Sequence, residues 1–273
     1  MWQKSIKNFA LLIILLFSFI LSSCIEEPFI DPVKKPYSVI RVTNFSSNVA
    51  ALNVTIDGTS PAAGLANLGI SSFTGYFDIN SGTRKFLVKN VITGDTVLNK
   101  DISIASYERM TIAFGGYFSK VKNDNNFGVV IYNEGLITVS SAPKTDSSHI
   151  YIINTATSTP TMAAKKFSIL TKRKLTGETA YTNINNIASL DFNKSAQIVD
   201  NRNPLKVISD HPVGNYLFDI KTDEGVPVPV LVFPKDSTFN SAAGKKYYLF
   251  IHGRPDSIKV HSDVQDPQPV RSK

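Results

Sequence analysis

The residue of this chain best suited to covalent chemistry is its single cysteine, Cys24. A thiol can be acylated, bind a metal or pair in a disulfide, and a single cysteine excludes an internal disulfide. Cys24 closes a segment with the parts of a signal peptide, with Lys4 and Lys7 near its start and an apolar run over residues 9–21. That run is shorter than the roughly 20 residues that a membrane-spanning helix needs. The sequence therefore predicts an exported protein that loses its first residues.

The four residues Leu21-Ser22-Ser23-Cys24 resemble the lipobox of bacterial lipoproteins. The resemblance implies cleavage between Ser23 and Cys24, a diacylglyceryl group on the Cys24 sulfur and an acyl chain on the new N terminus. Several acyl chains give stable membrane anchoring, whereas a single chain is marginal. Glu26 and Glu27 are similar to the surface-export signal of certain diderm bacteria. We therefore expect an outer-membrane lipoprotein held by acyl chains on Cys24 and exposed at the surface, with a periplasm-facing orientation as the alternative.

The histidines do not follow a metal-binding pattern. None stands in a His-x-x-x-His or His-Glu-x-x-His arrangement, and no second cysteine is present, so the usual zinc spacing is missing. One open arrangement is a cross-strand meeting of His252 and His261 with Asp256 or Asp263. We expect no metal site and no cofactor. The histidines concerned are His149, His211, His252 and His261.

Other catalytic motifs are missing from the sequence as well. It contains no Gly-x-Ser-x-Gly nucleophile motif, no phosphate-binding glycine loop and no Asp-x-Asp-x-Asp-Gly calcium loop. The acids are scattered and sit mostly in turns, where they usually serve the backbone, as at Asp57, Asp95, Asp124 and Asp200. The sequence favours a protein that is not an enzyme. The alternative is an enzyme whose site forms only in three dimensions.

Charge and aromatic content bear on possible partners. The net charge of +7 falls to +5 without Lys4 and Lys7, because 27 basic residues then face 22 acidic ones. The basic residues are dispersed and lack interleaved aromatics, so no nucleic-acid partner is expected. The one tryptophan, Trp2, lies in the signal peptide, which leaves tyrosines to stack on a sugar or to fill a core. A protein or glycan partner stays open. The candidate tyrosines are Tyr117, Tyr132, Tyr181, Tyr247 and Tyr248.

Alternation of apolar and polar residues predicts an all-β fold. Leu52-Asn53-Val54-Thr55-Ile56 puts three aliphatic residues on one face, and Asp57-Gly58 follows as a turn. Lys85-Phe86-Leu87-Val88-Lys89 repeats the pattern. Helical spacing is confined to residues 183–190, where one or two helical turns are expected.

The second half of the chain repeats four blocks of the first half in the same order, which predicts a duplicated domain. The pairs are Ile40-Arg41-Val42-Thr43-Asn44 with Ile150-Tyr151-Ile152-Ile153-Asn154, Val54-Thr55-Ile56 with Phe167-Ser168-Ile169, Phe86-Leu87-Val88-Lys89 with Phe218-Asp219-Ile220-Lys221, and Met110-Thr111-Ile112-Ala113-Phe114-Gly115 with Tyr248-Leu249-Phe250-Ile251-His252-Gly253.

These blocks resemble domain of unknown function 4397, a family of exported bacterial proteins that often carry it in tandem. The resemblance is carried by an opening strand ending in Asn44, a strand closed by Asp57-Gly58, a turn at Ser81-Gly82 and a late strand ending at Gly115. It implies two tandem immunoglobulin- or transthyretin-like β-sandwich domains and supplies no catalytic residues. The expected divisions are a signal peptide over 1–23, a tether over 24–36, sandwiches over 37–143 and 144–262, and a flexible tail over 263–273.

The function expected from these features is that of a non-catalytic, lipid-anchored display or interaction module of the cell envelope. The alternative is a fimbrial, pilin-like subunit that assembles by strand exchange after trimming near Lys34-Lys35. Such exchange needs an alternating aliphatic donor strand. The tether offers Pro28, Pro32 and Pro36 instead. The two sandwiches are expected to fold separately and to be joined by a linker over residues 140–148.

Overall fold

The structure is a computed structural model that describes residues 36–121, 125–137, 143, 146–156, 166–191, 195–197, 211–222, 231–234, 239–254 and 257–265. The chain divides into two compact units, Met1–Lys35 and Pro36–Lys273, and all described residues belong to the second. Ser23 and Cys24, most of the tether and most of the expected linker lie outside the described residues. Within the described ranges, no helix is long and apolar enough to cross a membrane.

The described chain is all-β, which confirms the predicted fold class. One short 3-10 turn, Leu65–Asn67, accompanies the strands. The strands are β1 Tyr37–Ser46, β2 Ala51–Ile56, β3 Leu68–Gly69, β4 Phe77–Asn80, β5 Gly82–Asn90, β6 Thr96–Ile104, β7 Glu108–Gly116, β8 Gly128–Leu136, β9 Ser147–Asn154, β10 Phe167–Lys174, β11 Thr182–Leu190, β12 Ser195–Gln197, β13 His211–Pro212, β14 Gly214–Thr222, β15 Leu231–Phe233, β16 Phe239–Ser241, β17 Lys246–Arg254 and β18 Ser257–Gln265.

Four sheets build two sandwiches. In the first, the sheet β4-β1-β7-β8 faces the sheet β3-β2-β5-β6 across one apolar core. In the second, β12-β9-β17-β18 faces β11-β10-β14-β15 across a separate core. A third apolar cluster joins residues of β1, β7 and β8 to residues of β9 and β17. We call the two sheets that meet there the inner sheets and the other two the outer sheets.

The two sandwiches share one strand order, and the repeated blocks occupy equivalent strands in each. In each, the opening strand pairs in parallel with a late strand, β1 with β7 and β9 with β17. Asn44 and Asn154, which end the opening strands, also have the same role. The Asn44 amide donates to the Leu68 carbonyl at 3.0 Å, and the Asn154 amide donates to the Leu190 carbonyl at 2.9 Å.

The fourth block of the repeat needs a correction of one residue. Ile40 pairs with Met110, whereas its equivalent Ile150 pairs with Tyr247 rather than with Tyr248. Every position from 247 to 251 is apolar, so periodicity could not fix the phase, and a slip of one residue exchanges the two faces of a strand. With the corrected register, Gly116 and Gly253 become equivalent. Both have positive φ, at 112° and 102°.

Two further expectations also change. The helical turns expected over residues 183–190 are wrong, because this segment is the edge strand β11. Two irregularities in its pairing with β10 shift the phase, which explains why Ile184, Ile187 and Leu190 face the core at a helix-like spacing. The predicted tail begins too early as well, since β18 continues through residues 263–265.

Candidate functional site

The inner sheets present matching rows of side chains to each other. Arg41 on β1 pairs in register with Thr111 on β7, whose hydroxyl donates to Glu134 on β8 at 2.5 Å. On the facing sheet, Tyr248 on β17 pairs in register with Asp263 on β18. Because residues in register across neighbouring strands lie on the same face, these residues form two polar rows opposite each other.

Arg41 connects the two rows. Its Nε lies 2.6 Å from the Thr111 hydroxyl and 3.6 Å from a Glu134 oxygen, and its Nη1 donates to Asp263 at 2.5 Å. The guanidinium lies 4.7 Å from the ring centroid of Phe73 and 5.1 Å from that of Tyr248. A planar cation that forms hydrogen bonds at its edge and stacks on rings at its faces is a residue that lysine could not replace.

Tyrosines complete the network around the carboxylate of Glu134. The Tyr76 hydroxyl lies 2.6 Å from Glu134 and 2.7 Å from the side-chain oxygen of Gln265, and the Tyr248 hydroxyl lies 3.3 Å from Glu134. The side chains of Arg41 and Glu134 are only 4% and 1% exposed. We call Arg41, Tyr76, Thr111, Glu134, Tyr248, Asp263 and Gln265 the inter-sandwich clamp.

The electrostatic interactions within the clamp fix the protonation states of its arginine and tyrosines. Burial by itself would lower the pKa of Arg41, but Glu134, Tyr76 and Asp263 raise it above its ordinary value. Burial and the Glu134 charge raise the pKa of Tyr76 and of Tyr248. At neutral pH these tyrosines are neutral hydrogen-bond donors and the arginine is charged, so the network holds one defined pattern of donors and acceptors.

An aromatic cluster extends the contact between the inner sheets beyond the clamp. Phe45 on β1 stacks on Phe250 of β17, with ring centroids 4.6 Å apart. Tyr151 and Tyr248 stack at 5.3 Å, and Tyr132 on β8 packs against both. Aromatic pairs of this kind add about 0.5–1.5 kcal/mol each beyond the burial of their area.

The structure brings together two of the candidate histidines. His252 and His261 both pack on Phe45, with ring centroids 5.0 and 5.9 Å away. Burial, together with the nearby charges of His261 and Lys259, lowers the pKa of His252 to about 4. Asp256 lies outside the described residues, and among the described ones no group of three or more His, Cys, Asp or Glu side chains could hold a metal ion.

The remaining candidate side chains do not converge on a site. His149 is buried and lies 3.3 Å from the Tyr151 hydroxyl, whereas His211 belongs to β13. All ten tyrosines are described, and none of them is exposed. Tyr117 and Tyr181 are half-buried, while Tyr247 and Tyr248 lie in the protein interior. The described tyrosines therefore provide no open platform for stacking a sugar ring.

The arrangement supports structure more directly than catalysis. The Glu134 carboxylate is surrounded by donors and sealed between two sheets, so a substrate could not reach it. The sequence analysis did not identify Arg41, Tyr76, Thr111, Glu134 or Gln265. The available signal was the continuous apolar run of β17, which indicates a strand buried on both faces and hence a second layer against it.

Comparison with known proteins supports the predicted resemblance. Residues 38–165 match the family model of the domain of unknown function DUF4397. The matched range contains the first sandwich except Tyr37, and also β9, the opening strand of the second. The resemblance predicted for the first copy is therefore confirmed. A comparison with curated proteins finds no match.

Several solved structures resemble the chain weakly. A C-terminally truncated tip fimbrial protein from Porphyromonas gingivalis is 10% identical, covers 85% of this chain and 99% of its own, and has a TM-score of 0.26. A putative cell adhesion protein from Bacteroides uniformis is 13% identical, with coverages of 84% and 97% and a TM-score of 0.26. CBMbc of family CBM26, from Eubacterium rectale Amy13K in complex with maltoheptaose, is 10% identical, with coverages of 85% and 98% and a TM-score of 0.24. TM-scores this low support no argument about function.

Proposed function

We propose that this protein is a non-catalytic, lipid-anchored interaction module that is displayed on the outer membrane of a diderm bacterium. The observation that carries the proposal is the inter-sandwich clamp. It joins two complete sandwiches into one compact body whose most unusual polar groups are sealed inside. An enzyme would need such groups to be accessible to substrate, whereas a display module benefits from a rigid body on a tether.

The loops of the first sandwich favour a role in binding. The chain enters β1 at Tyr37, and the loops that follow β1, β5 and β7 lie at the opposite end of the sandwich. Those loops carry exposed aliphatic residues, Ile92 at 75% exposure and Val121 at 58%. Exposed apolar residues that occur close together mark interaction surfaces more often than single ones do.

Hydrogen bonds give these loops a defined shape. The Asn48 amide donates to the Phe118 carbonyl at 2.7 Å and accepts from the Phe118 N–H at 2.9 Å. Lys120 forms an ion pair with Asp95 at 3.0 Å, which connects the β7–β8 loop with the β5–β6 hairpin. Loops held in their bound shape lose less entropy when a partner binds. Aliphatic loops without exposed aromatics favour a protein partner over a glycan.

The fimbrial alternative requires one strand to leave its sandwich and another to replace it. The N-terminal strand β1 is the obvious candidate, yet it lies between β4 and β7 in the middle of its sheet and carries Arg41. Trimming near Lys34-Lys35 would leave β1 in place, because β1 begins at Tyr37. These features favour the display function.

The anchoring part of the proposal is tested with Cys24→Ser. We expect this variant to lose incorporation of a radioactive fatty acid and to leave the membrane fraction, while Ser22→Ala serves as the matched control and stays labelled. Continued labelling of Cys24→Ser would contradict lipid anchoring. Digestion of intact cells with proteinase K tests display, since an exposed protein is degraded before the cells are lysed.

Light scattering distinguishes the monomer expected for a display module from the polymer expected for a fimbrial subunit. Protein treated with trypsin at low dose, so that cleavage near Lys34-Lys35 occurs first, should stay monomeric at rising concentration. Stable polymers formed after that cleavage would overturn the display function and support the fimbrial one.

A further inference from the structure

We infer that the seam between the two sandwiches contains a binding site for a small oxyanion group, of the size of a carboxylate or sulfate. The site is a pocket of about 130 Å³ lined by residues of both sandwiches. It goes beyond the proposed function because it assigns a ligand chemistry to a place that the clamp does not use and that meets the binding loops only at Ser47. The lining residues are Ser46, Ser47, Ile70, His252, Gly253, Ser257 and Lys259.

The walls of the pocket are held by the fold. Ser47 donates its N–H to the Gly116 carbonyl at 2.8 Å, and the Ser46 hydroxyl lies 2.6 Å from the Val49 carbonyl. On the other side, Gly253 approaches Ser257 so closely that a Cβ would lie 2.5 Å from the Ser257 carbonyl oxygen. The pocket therefore exists before any ligand arrives, as ligand sites at domain contacts usually do.

The polar groups of the pocket select a negative ligand. His252 pairs across the hairpin with Lys259, so both side chains lie on the face that borders the pocket. Ser257 adds a hydroxyl donor, whereas the hydroxyls of Ser46 and Ser47 already donate to the carbonyls of Val49 and Gly116. None of the lining residues is acidic. His252 is only 5% exposed, although it lines the pocket, and within the described part of the chain it has no hydrogen-bond partner. Its imidazole can therefore donate an N–H to an oxyanion bound in the pocket.

The titratable and charged groups around His252 come from two strands, β18 and β1. Lys259 and His261 lie on β18, and Asp263 is farther along the same strand, where it is bound to Arg41 of β1. Because Asp263 is engaged by Arg41, the field inside the pocket is set mainly by Lys259. A bound oxyanion and a proton on His252 would each favour the other, since coupling between two ligands is reciprocal.

Histidine NMR of the full-length protein in detergent micelles tests the site, because the chain has only four histidines to assign. Sodium sulfate and sodium glucuronate are titrated at constant ionic strength, with glucose as the neutral control. We expect a saturable shift of the His252 resonances that glucose does not produce. Binding should strengthen by about fivefold or more when His252 becomes protonated, the lower range of ordinary coupling. Tighter binding of glucuronate would identify an acidic sugar as the ligand source, and tighter binding of sulfate a sulfate-like group.

Two variants keep the inference falsifiable. Lys259→Gln, an exposed position, should weaken sulfate binding at least tenfold, whereas the matched control Lys100→Gln on the edge strand β6 should leave it unchanged. Ser257→Asp should place a carboxylate in the pocket, block sulfate and raise the pKa of His252. The inference fails if neither anion shifts His252 in a saturable way, or if Lys259→Gln binds as tightly as the unchanged protein. Neither result would affect the anchoring tests.

Discussion

The inner and outer sheets of this protein follow different sequence rules although they belong to the same sandwiches. On the outer strand β10 buried and half-buried residues alternate, as expected when one face packs on a core and the other meets solvent. On the inner strand β1 nearly every residue is buried, because one face packs on the sandwich core and the other on the second sandwich. Each sandwich taken alone therefore follows ordinary strand alternation. The inner sheets depart from it because their second face is buried against the other sandwich.

The largest expected effects test this comparison directly. Leu249→Ala and Phe250→Ala, at adjacent positions of β17, should each lower the free energy of unfolding by about 2–5 kcal/mol, because each empties a different buried face. On β10, Ile169→Ala should cost as much, whereas the neighbouring Leu170→Ala should cost less than about 1 kcal/mol. Urea unfolding measures all four. A small cost for Phe250→Ala would mean that the inner sheets do not depend on each other.

Breaking the clamp should lower the free energy of unfolding almost as much as truncating a core residue does. Arg41→Met leaves the Glu134 carboxylate buried without its cation, and breaking a buried pair in this way costs about 3–5 kcal/mol. The matched control is Lys120→Met, which breaks an exposed ion pair with Asp95 and should cost less than about 1 kcal/mol. Equal effects from the two variants would show that the clamp behaves like a surface ion pair.

Acidification should act on the inner sheets through His252. Its pKa of about 4 in the folded state lies below the ordinary value of 6.5, so the unfolded chain takes up a proton first and stability falls as the pH drops from about 6.5 towards 4. The loss attributable to His252 should reach about 2–3 kcal/mol, at roughly 1.4 kcal/mol for each pH unit between the two values. Urea unfolding of wild type and His252→Asn at pH 7 and pH 4.5 isolates this contribution. The variant should lose less stability on acidification than wild type does.

The smallest effect is expected from cutting the connection between the sandwiches. The sequence predicts a linker over residues 140–148, and a protease site placed there should be cut readily. Since the clamp and the aromatic cluster remain, the two fragments should elute together in gel filtration at neutral pH. Fragments that separate at once would support independent folding and would argue against the inner contact.

The sandwiches could be predicted from the sequence because strand alternation and the repeated blocks are local signals. The alternation from Leu52 to Ile56 predicts a strand with one buried face. The repeated asparagines Asn44 and Asn154 indicate where each opening strand ends. The clamp could not be predicted, since its groups come together only through tertiary contacts. Arg41 and Asp263 are 222 residues apart. The repeated block that contains Arg41 indicates a strand and not an ion pair. Periodicity could not predict the register of β17 either, because both of its faces are apolar.

The parallel pairing of β1 with β7 has a consequence for the timing of folding. The pairing of Ile40 with Met110 requires β7 to be present. The contact of Arg41 with Asp263 requires β18, near the end of the chain. Contacts between such distant residues form slowly, since a long loop has to close before they give any stability. The two inner sheets therefore join into one rigid body only after the last strand, β18, is in place.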